Sequence, residues 1–450
     1  MLRLAPAALV AGALFVGCRG ADHPHPGTAI SFTTEIGKSG QTLRGVAGDG
    51  ASVFAARGDA SSSELEARKA GTDAIAWHVT LPGSAGPLAS SSGLLLATLS
   101  ASGAIVGLGA PVLLHGEPSA LVVAVDPATG ALRWRVPFDA AEFVVITSIA
   151  PIEAVPAAGA GFVIGGTFSG TLRVGDTALS ANARTVVSSA GRSDGFVAEL
   201  TTTGAVRWLV RVGGPGADSV QGVAARGDRV AIAGVFTAGA ELLGEPLVAF
   251  DEKLPFADGF VAELDAVGTR RWQQTFGGKL DDAVAGVAID SKNRVIVAAT
   301  IRDSIRLGGR DLATRGPADG LVAWFSPAGE PGATAIIGGS DFDGLRAITA
   351  VDDRVVVAGF FSGTLALGKR SLTATGGADS FLVEVNATGE LETSWHVAGP
   401  GREEITSLSA VPGGFVAGIA HTGALTLEAA KLPAPPDPSS GAALVGRPAP

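Results

Sequence analysis

Short segments in which apolar and polar residues alternate recur along the chain. One of them reads SDGFVAEL at 193–200, ADGFVAEL at 257–264, ADGLVAWF at 318–325 and ADSFLVEV at 378–385. In the first copy Phe196, Ala198 and Leu200 fall on one face and Val197 and Glu199 on the other, which is the two-residue period of a β-strand. The leading aspartates, Asp194, Asp258, Asp319 and Asp379, follow one another at steps of 64, 61 and 60 residues. The pattern predicts an all-β chain built from repeats.

Three further elements recur with this segment. A glycine is followed four residues later by a tryptophan in Gly130/Trp134, Gly204/Trp208 and Gly268/Trp272, and Trp77 fits with a slip of two residues. These tryptophans are expected to pack between neighbouring blades, with the indole N–H bonded to the backbone. A Gly-Gly turn is followed by an acid in Gly213/Asp218, Gly277/Asp282 and Gly338/Asp343, and Ala398/Glu403 is a degenerate copy. An apolar strand occurs seven times, at 52–56, 94–99, 162–168, 230–236, 295–301, 355–361 and 415–420.

Four strands per repeat and seven copies of the apolar strand predict a seven-bladed β-propeller with four-stranded blades. Within one blade the expected order from the axis outward is A (220–225), B (230–236), C (259–265) and D (269–276). The segment ISFTTEIG at 30–37 is typical of a D strand and SGAALVGR at 440–447 of a C strand. We therefore expect the last blade to combine both chain ends, which closes the ring and removes open sheet edges.

Composition fits this architecture and excludes several function classes. The 450 residues include 64 glycines and 25 prolines, as many tight turns require, and 46% are hydrophobic. A formal net charge of −10 argues against nucleic-acid binding, which needs cations to displace phosphate counterions. The single cysteine excludes a disulfide framework. A membrane-embedded barrel is rejected because the chain has no tyrosine and only 6% aromatic residues.

The N-terminus resembles a bacterial lipoprotein signal. Arg3 precedes an apolar stretch, Leu4 to Val16, that is too short to span a bilayer and ends just before Cys18. The resemblance implies cleavage before Cys18 and acylation of that cysteine, whose multiple chains would anchor the protein to a membrane. The domains are then a signal peptide at 1–17, a lipidated cysteine and polar tether at 18–29, and one propeller domain at 30–450. An ordinary secretory signal with a chance cysteine is the alternative.

The repeats resemble a family of bacterial β-propeller repeats with the elements GG-x₃-D, V-x-V-A-G, D-x-F-V-x-x-L and G-x₃-W. The match is good over 190–420 and looser over 30–190. The stretch AVDPATGALRW at 124–134 also looks like the tryptophan-docking element of quinoprotein-type propellers. That group includes the propeller subunit of the outer-membrane barrel-assembly machinery, which is also a lipoprotein. The resemblance does not imply a quinone, because neither metal ligands nor an aromatic or disulfide floor accompany the element. By the same analogy, Arg19 after the cysteine favours the outer membrane and leaves open whether the protein faces the periplasm or the cell surface.

Candidate chemistry is sparse. Gly191 to Gly195 matches the G-x-S-x-G pattern, but a strand follows Ser193 where a nucleophile elbow needs a helix, so a catalytic serine is not expected. His23 and His25 lie in the tether, where a solvated role is favoured over metal binding. The recurrent acids are expected on the D–A loops around the channel mouth: Asp218, Asp282, Asp343 and Glu403. Each either accepts backbone N–H bonds within its own turn or contributes to a cation site, for which Ca²⁺ is the candidate.

The sequence therefore predicts a lipid-anchored binding or scaffold module of the bacterial envelope, monomeric and non-enzymatic, whose partner is a protein or a glycan. No cofactor is expected beyond the candidate Ca²⁺. The long B–C connections, several of which are expected to carry a small hairpin of their own, as at 169–179 and 362–372, are predicted to emerge on the same face as the D–A loops. That face is the expected recognition surface. The alternatives are an envelope-assembly factor like the barrel-machinery subunit and a propeller hydrolase or lyase.

Overall fold

A computed structural model describes residues 31–35, 42–70, 74–154, 159–175, 185–428, 430–432, 434 and 441–446. Every regular element in these ranges is a strand, and none of the described residues forms a helix long and apolar enough to cross a membrane. The predicted signal peptide, Cys18, His23 and His25 lie outside the described residues.

The strands are numbered in chain order. The first half contains β1 (Ser31–Glu35), β2 (Thr42–Gly48), β3 (Ser52–Gly58), β4 (Ser62–Lys69), β5 (Ile75–Pro82), β6 (Ser84–Ser91), β7 (Leu94–Ile105), β8 (Val112–Val125), β9 (Leu132–Asp139), β10 (Phe143–Ile152), β11 (Gly161–Ser169), β12 (Thr171–Val174), β13 (Val186–Ser188), β14 (Asp194–Thr201), β15 (Val206–Gly213), β16 (Ser219–Arg226), β17 (Arg229–Phe236), β18 (Glu241–Leu242) and β19 (Glu245–Pro246). The second half contains β20 (Asp258–Asp265), β21 (Arg270–Gly278), β22 (Ala283–Ile289), β23 (Val295–Ile301), β24 (Ser304–Leu307), β25 (Arg310–Ala313), β26 (Asp319–Phe325), β27 (Pro331–Ile337), β28 (Gly344–Val351), β29 (Arg354–Phe361), β30 (Thr364–Leu367), β31 (Arg370–Thr373), β32 (Asp379–Val385), β33 (Leu391–Ala398), β34 (Glu403–Val411), β35 (Gly414–His421), β36 (Leu425–Leu427), β37 (Ala430–Leu432) and β38 (Gly441–Gly446).

Six blades are formed by antiparallel strands that each come from one continuous stretch of chain. From the axis outward their A to D strands are β2-β3-β4-β5, β6-β7-β8-β9, β10-β11-β14-β15, β16-β17-β20-β21, β22-β23-β26-β27 and β28-β29-β32-β33. The all-β propeller class is thus correct, and the strands predicted for the fourth blade coincide with β16, β17, β20 and β21 to within one or two residues.

The predicted count of seven four-stranded blades is wrong, because the structure contains six such blades. The count rested on one apolar strand per blade, and its last copy, β35, is not part of a continuous repeat. It belongs instead to a closing sheet of order β34-β35-β38-β1, which draws strands from both ends of the chain. The closing sheet lies between the sixth and first blades, since β34 contacts both β28 and β2.

The predicted pairing of the two chain ends is confirmed by this closing sheet. Strand β1 pairs antiparallel with β38, with Thr33 opposite Leu444, and β38 pairs with β35, with Leu444 opposite Gly418. A small hydrophobic cluster joins the closing sheet to the first blade: Val416 packs with Leu43, Val46 and Ala55. The terminal strands therefore do not leave a sheet edge open at the junction.

The uniform four-stranded blade is also wrong, because hairpins in the B–C connections extend neighbouring sheets. The hairpins β12–β13, β18–β19, β24–β25 and β36–β37 each pair with the D strand of the preceding blade and make four sheets six-stranded. The hairpin β30–β31 forms a two-stranded sheet of its own. Each pairing covers backbone groups that an outer strand would otherwise expose, so the connections also fasten adjacent blades together.

The Gly-x₃-Trp element has a packing function between consecutive sheets. The indole N–H groups of Trp77, Trp134 and Trp208 donate to carbonyl oxygens of the next C–D turn, at Pro127, Thr202 and Ala266, over 2.9, 2.8 and 3.2 Å. A glycine of that turn lies against the indole. At Gly204, with φ +84°, an added Cβ would meet Trp134 at 3.0 Å. The predicted role of the tryptophans between blades is therefore confirmed for these three.

We expect Trp134→Ala to lower the free energy of unfolding by about 3 kcal/mol, since a large side chain is lost from a packed junction. Gly204→Ala should cost about 1–2 kcal/mol, from its left-handed backbone and the contact with the indole. Urea unfolding of the double variant should show less than the sum, because removing the indole removes the collision. Gly103→Ala is the matched control: its φ is +72° and an added Cβ meets nothing within 4 Å. Strict additivity of Trp134→Ala and Gly204→Ala would contradict this packing.

Candidate functional site at the channel mouth

A channel of about 380 Å³ lies on the axis, lined by the innermost strands of the six blades and of the closing sheet. Its described lining consists mainly of Ala, Val, Ile, Ser and Thr, and Arg44 and Arg346 are the charged side chains among these residues. The lining contains no Asp or Glu in the part of the chain that the structure describes. In a protein of net charge −10, the channel is therefore locally cationic.

All seven of these innermost strands carry an irregularity at the same level. Pairing with the neighbouring B strand skips Arg44 in β2, Thr147 in β10 and Gln221 in β16. It likewise skips Ala285, Arg346 and Thr406 in β22, β28 and β34, and Gly86–Pro87 in β6. A bulge of this kind re-aims the extra side chain. The seven residues that line the channel here are called the bulge ring: Arg44, Pro87, Thr147, Gln221, Ala285, Arg346 and Thr406.

Close packing near the axis explains the small residues beside the bulge ring. Gly222, which follows Gln221, lies so near the adjacent inner strand that an added Cβ would be 2.8 Å from the Cα atom of Gly286. Gly45, which follows Arg44, would likewise place a Cβ 2.5 Å from the carbonyl oxygen of Gly86. The bulge residues themselves point into the channel. Their side chains can therefore differ from blade to blade without disturbing the close packing of the inner strands.

Two groups of arginine and phenylalanine side chains lie on the face of the D–A loops, and together they are called the Arg–Phe strip. One group contains Arg346, Phe360, Phe342 and Arg302, and the other contains Arg306 and Phe250. The guanidinium carbons of Arg346 and Arg302 lie 4.7 and 5.6 Å from the ring centroids of Phe360 and Phe342, and these two rings stack at 6.0 Å. Arg306 lies 5.8 Å from the ring of Phe250.

Two phenylalanines of the Arg–Phe strip are unusually open to solvent. Phe342 is 40% exposed and Phe250 is 37% exposed, although twelve other phenylalanines are among the largest fully buried side chains. Val248 lies in the same B–C connection as Phe250 and is 68% exposed, and Leu280, in the D–A loop between β21 and β22, is 38% exposed. Exposed aromatic and arginine side chains on one face are typical of a protein interface.

The recurrent acids are in the predicted D–A loops but are buried in them. Asp218 accepts from the backbone N–H groups of Gly214 and Thr237, both at 2.7 Å, and so ties its Gly-Gly turn to the end of a B strand. Asp343 makes the same pair of bonds, from Gly339 at 2.5 Å and Ser362 at 3.1 Å. This geometry is the predicted turn-tying arrangement.

Asp282 and Glu403 are less completely bonded. Asp282 accepts at Oδ1 from the backbone N–H of Arg302 at 3.1 Å, and Glu403 accepts from Gly401 at 3.2 Å. The other oxygen of each carboxyl is buried without a hydrogen-bond partner. Among the described residues, no three His, Cys, Asp or Glu side chains are close enough together to hold a metal ion.

Each of these acids lies beside the aspartate that begins a C strand. At Gly213 an added Cβ would be 2.8 Å from both Asp194 Cγ and Asp218 Oδ2, and at Gly277 it would be 1.9 Å from Asp258 Oδ1. The first glycine of the Gly-Gly turn is therefore required by the carboxyl pair itself, a contact that the spacing of the repeat did not reveal. Burial raises the pKa of Asp218, and the neighbouring charge of Asp194 adds to the shift.

Two of the carboxyl pairs contact a basic side chain. Asp194 forms an ion pair with Arg211 at 2.8 Å, and Asp379 is hydrogen-bonded to Nε2 of His396 at 2.7 Å, from matching positions on the D strands. In the fourth blade the matching position is occupied by Thr275. Burial accordingly raises the pKa of Asp258 to about 6, and burial together with the charge of Asp258 raises the pKa of Asp282 to about 7.

Ser193 forms an isolated bridge with Ala217 and is followed directly by strand β14, as the sequence predicted. The bulge ring and the Arg–Phe strip were missed by sequence reasoning. A single inserted residue hardly alters the alternation of a short strand, so the bulges of the inner strands were not visible in the sequence. Phe342 lies in the D–A turn of the fifth blade, and the D–A turns of the third and fourth blades carry Pro215 and Leu280 near its position instead. This difference between otherwise repeated turns was the signal from which the Arg–Phe strip could have been found.

No protein-family model and no curated protein sequence matches the chain. Solved structures with a similar fold include BamB from Moraxella catarrhalis, at 15% identity over 90% of this chain and 83% of that chain, with a TM-score of 0.39. A quinohemoprotein alcohol dehydrogenase from Pseudomonas putida HK5 is 12% identical over 88% of this chain and 65% of that chain, with a TM-score of 0.40. The Dos1 propeller is 10% identical over 80% and 84%, with a TM-score of 0.39. Similarities at this level carry no argument about activity or partner.

Proposed function

We propose that this protein is a non-enzymatic binding or scaffold module, anchored to the bacterial outer membrane through Cys18, that holds a protein partner on the face of its D–A loops. The observation that carries the proposal is the Arg–Phe strip. Interface cores are enriched in aromatic residues and arginine, and a few such residues account for most of the binding energy. A monomeric ring of sheets supplies a rigid support, so little ordering free energy is lost when a partner binds.

The hydrogen bonds of the repeated acids favour binding over catalysis. Both carboxylate oxygens of Asp218 and of Asp343 accept from backbone N–H groups. They are therefore turn-forming residues rather than groups presented to a substrate. The net charge of −10 supports a partner other than nucleic acid. A glycan partner and a role in envelope assembly are the alternatives, and the experiment below separates them.

The proposal is tested by affinity purification from detergent-solubilised envelope with the wild-type protein and with Phe250→Ser/Phe342→Ser. We expect one or more proteins to be recovered in near-stoichiometric amounts by the wild type and to be lost with the double variant. The control is Val267→Ser, which removes an even more exposed apolar side chain, 69% accessible, from a C–D turn on the opposite face. Equal recovery by all three proteins, or recovery of no protein at all, would refute the proposed surface.

Two added arms identify the alternatives. Barrel-assembly components in near-stoichiometric amount would assign the role in envelope assembly. A chelator during purification tests the candidate Ca²⁺ dependence of Asp218, Asp282, Asp343 and Glu403, and we expect recovery to be unchanged because the backbone, rather than a metal, occupies the oxygens of Asp218 and Asp343. Recovery of a glycan from the extract, if it persists after the proteins of the extract have been removed, would favour a glycan partner.

A further inference from the structure

Three residues of the bulge ring lie side by side. Arg346, Thr406 and Arg44 occupy the same level of β28, β34 and β2, and β34 contacts both of the other strands. All three line the channel, and both arginines are exposed. The closing sheet thus places a hydroxyl group between two guanidinium groups. On the other side of the channel the ring carries the uncharged residues Thr147, Gln221 and Ala285.

The two arginines have no acidic partner in the part of the chain that the structure describes. Most other arginines of the described chain do form ion pairs, including Arg211 and Arg294. Asp343, the nearest acid along the chain to Arg346, is buried and accepts from backbone N–H groups. Asp49, the nearest described acid along the chain to Arg44, accepts from the backbone N–H groups of Ala51 and Ser52. The cation of Arg346 is instead held over the ring of Phe360 at 4.7 Å, which keeps the guanidinium at the mouth.

The hydroxyl of Thr406 is weakly used. It donates to the carbonyl oxygen of Gly418 over 3.3 Å, near the limit of a hydrogen bond, whereas the hydroxyl of Thr147 donates to Val220 over 2.6 Å. Thr406 therefore has a donor that can turn toward a ligand at small cost. Two planar guanidinium forks and one hydroxyl match the several acceptor oxygens of a tetrahedral oxyanion.

We infer that Arg44, Thr406 and Arg346 form a binding site for a phosphate or sulfate group in the channel mouth. The site shares Arg346 with the Arg–Phe strip, on which the proposed protein interaction depends, whereas Arg44 and Thr406 lie outside that strip. The group could belong to a free ion or to a lipid headgroup, because both present the same oxygens to the arginines. A free ion fits within the channel volume of about 380 Å³.

Isothermal titration calorimetry with inorganic phosphate at constant ionic strength tests this inference, with vesicles containing phosphatidylglycerol as a second arm. We expect one saturable site per chain. Arg44→Gln and Arg346→Gln should each weaken binding by about tenfold or more, as expected for a charge-assisted hydrogen bond. Thr406→Val, which keeps both charges, should weaken it several-fold. The control is Arg133→Gln, which removes the same charge from an exposed arginine paired with Asp126.

Binding of phosphate that weakens in the channel variants but not in Arg133→Gln supports the site, and the same pattern with vesicles alone assigns it to a lipid headgroup. Equal binding by wild type and both arginine variants overturns the inference, as does the absence of saturable binding in either arm. Unchanged melting temperatures of the variants establish that they are folded. Because Arg44 and Thr406 lie outside the Arg–Phe strip, partner recovery by Arg44→Gln and Thr406→Val shows separately whether the proposed function holds.

Discussion

Asp282→Asn is expected to stabilise the protein at pH 8 and to leave its stability at pH 4 nearly unchanged. The pKa of Asp282 is raised by burial to about 7, and the pKa of its neighbour Asp258 to about 6. A carboxyl whose folded pKa exceeds its unfolded value favours folding fully below the unfolded pKa, near 4, and loses that contribution as pH rises through the folded pKa. The loss therefore falls between about pH 4 and pH 7.

The expected gain from the substitution is about 4 kcal/mol at pH 8, because the folded and unfolded pKa values differ by about three units and each unit is equivalent to about 1.4 kcal/mol. Asparagine resembles the protonated carboxyl in shape, and its Oδ1 can still accept from the backbone N–H of Arg302. Its Nδ2 replaces the oxygen that has no hydrogen-bond partner. The measurement is chemical denaturation of wild type and variant at pH 4, 6 and 8.

Asp218→Asn is the matched control at the same position of the preceding repeat. Both oxygens of Asp218 accept from backbone N–H groups, so an amide must direct its own N–H toward one of them. We expect this variant to be destabilised at every pH tested. If Asp282→Asn were also destabilised at pH 8, the charge of the Asp258–Asp282 pair would not be the source of strain in the fourth blade.

A disulfide between the two chain ends is expected to produce the other large effect. Thr33 and Leu444 lie opposite each other in the β1–β38 pair, and opposite residues of paired strands are close enough for a disulfide. Linking them closes a loop of roughly 400 residues, for which the chain-entropy relation gives about 6 kcal/mol of stabilisation. The gain depends on the closing sheet, because ends that lie apart cannot form the bond without distorting the fold.

The sequence predicted most of what depends on hydrophobic alternation. The four strands of the fourth blade, the Trp77, Trp134 and Trp208 contacts and the meeting of the chain ends are all properties of the repeated pattern. The six-blade count was missed because the sheet that contains β35, whose origin in both chain ends was anticipated, was counted as a seventh blade, whereas six blades come from continuous stretches of chain. Hairpins in the B–C connections were predicted at 169–179 and 362–372, and β30–β31 confirms the second of these. Their pairing with the D strand of the preceding blade was missed, and β18 and β19, with two residues each, are too short for a period to be visible.

The candidate site was predicted only in part, for electrostatic and steric reasons. The acids were expected at the mouth, but the N–H groups of their turns require buried acceptors, which draws Asp218 and Asp343 inward. The arginines of the channel were not anticipated, because Arg44 and Arg346 become neighbours of Thr406 only when the closing sheet joins the sixth and first blades. A property of the complete ring cannot be read from any one repeat.

The most direct measurement of this architecture uses Thr33→Cys/Leu444→Cys in a Cys18→Ser background, oxidised mildly at low protein concentration. Non-reducing electrophoresis should show a faster-migrating monomer, and the oxidised protein should unfold at a distinctly higher urea concentration than the reduced one. Thr33→Cys/Ala442→Cys, displaced by two residues along β38, should cross-link far more slowly. Failure of Thr33→Cys/Leu444→Cys to form an intramolecular bond, or equal rates for the two pairs, would contradict a ring closed by its own ends.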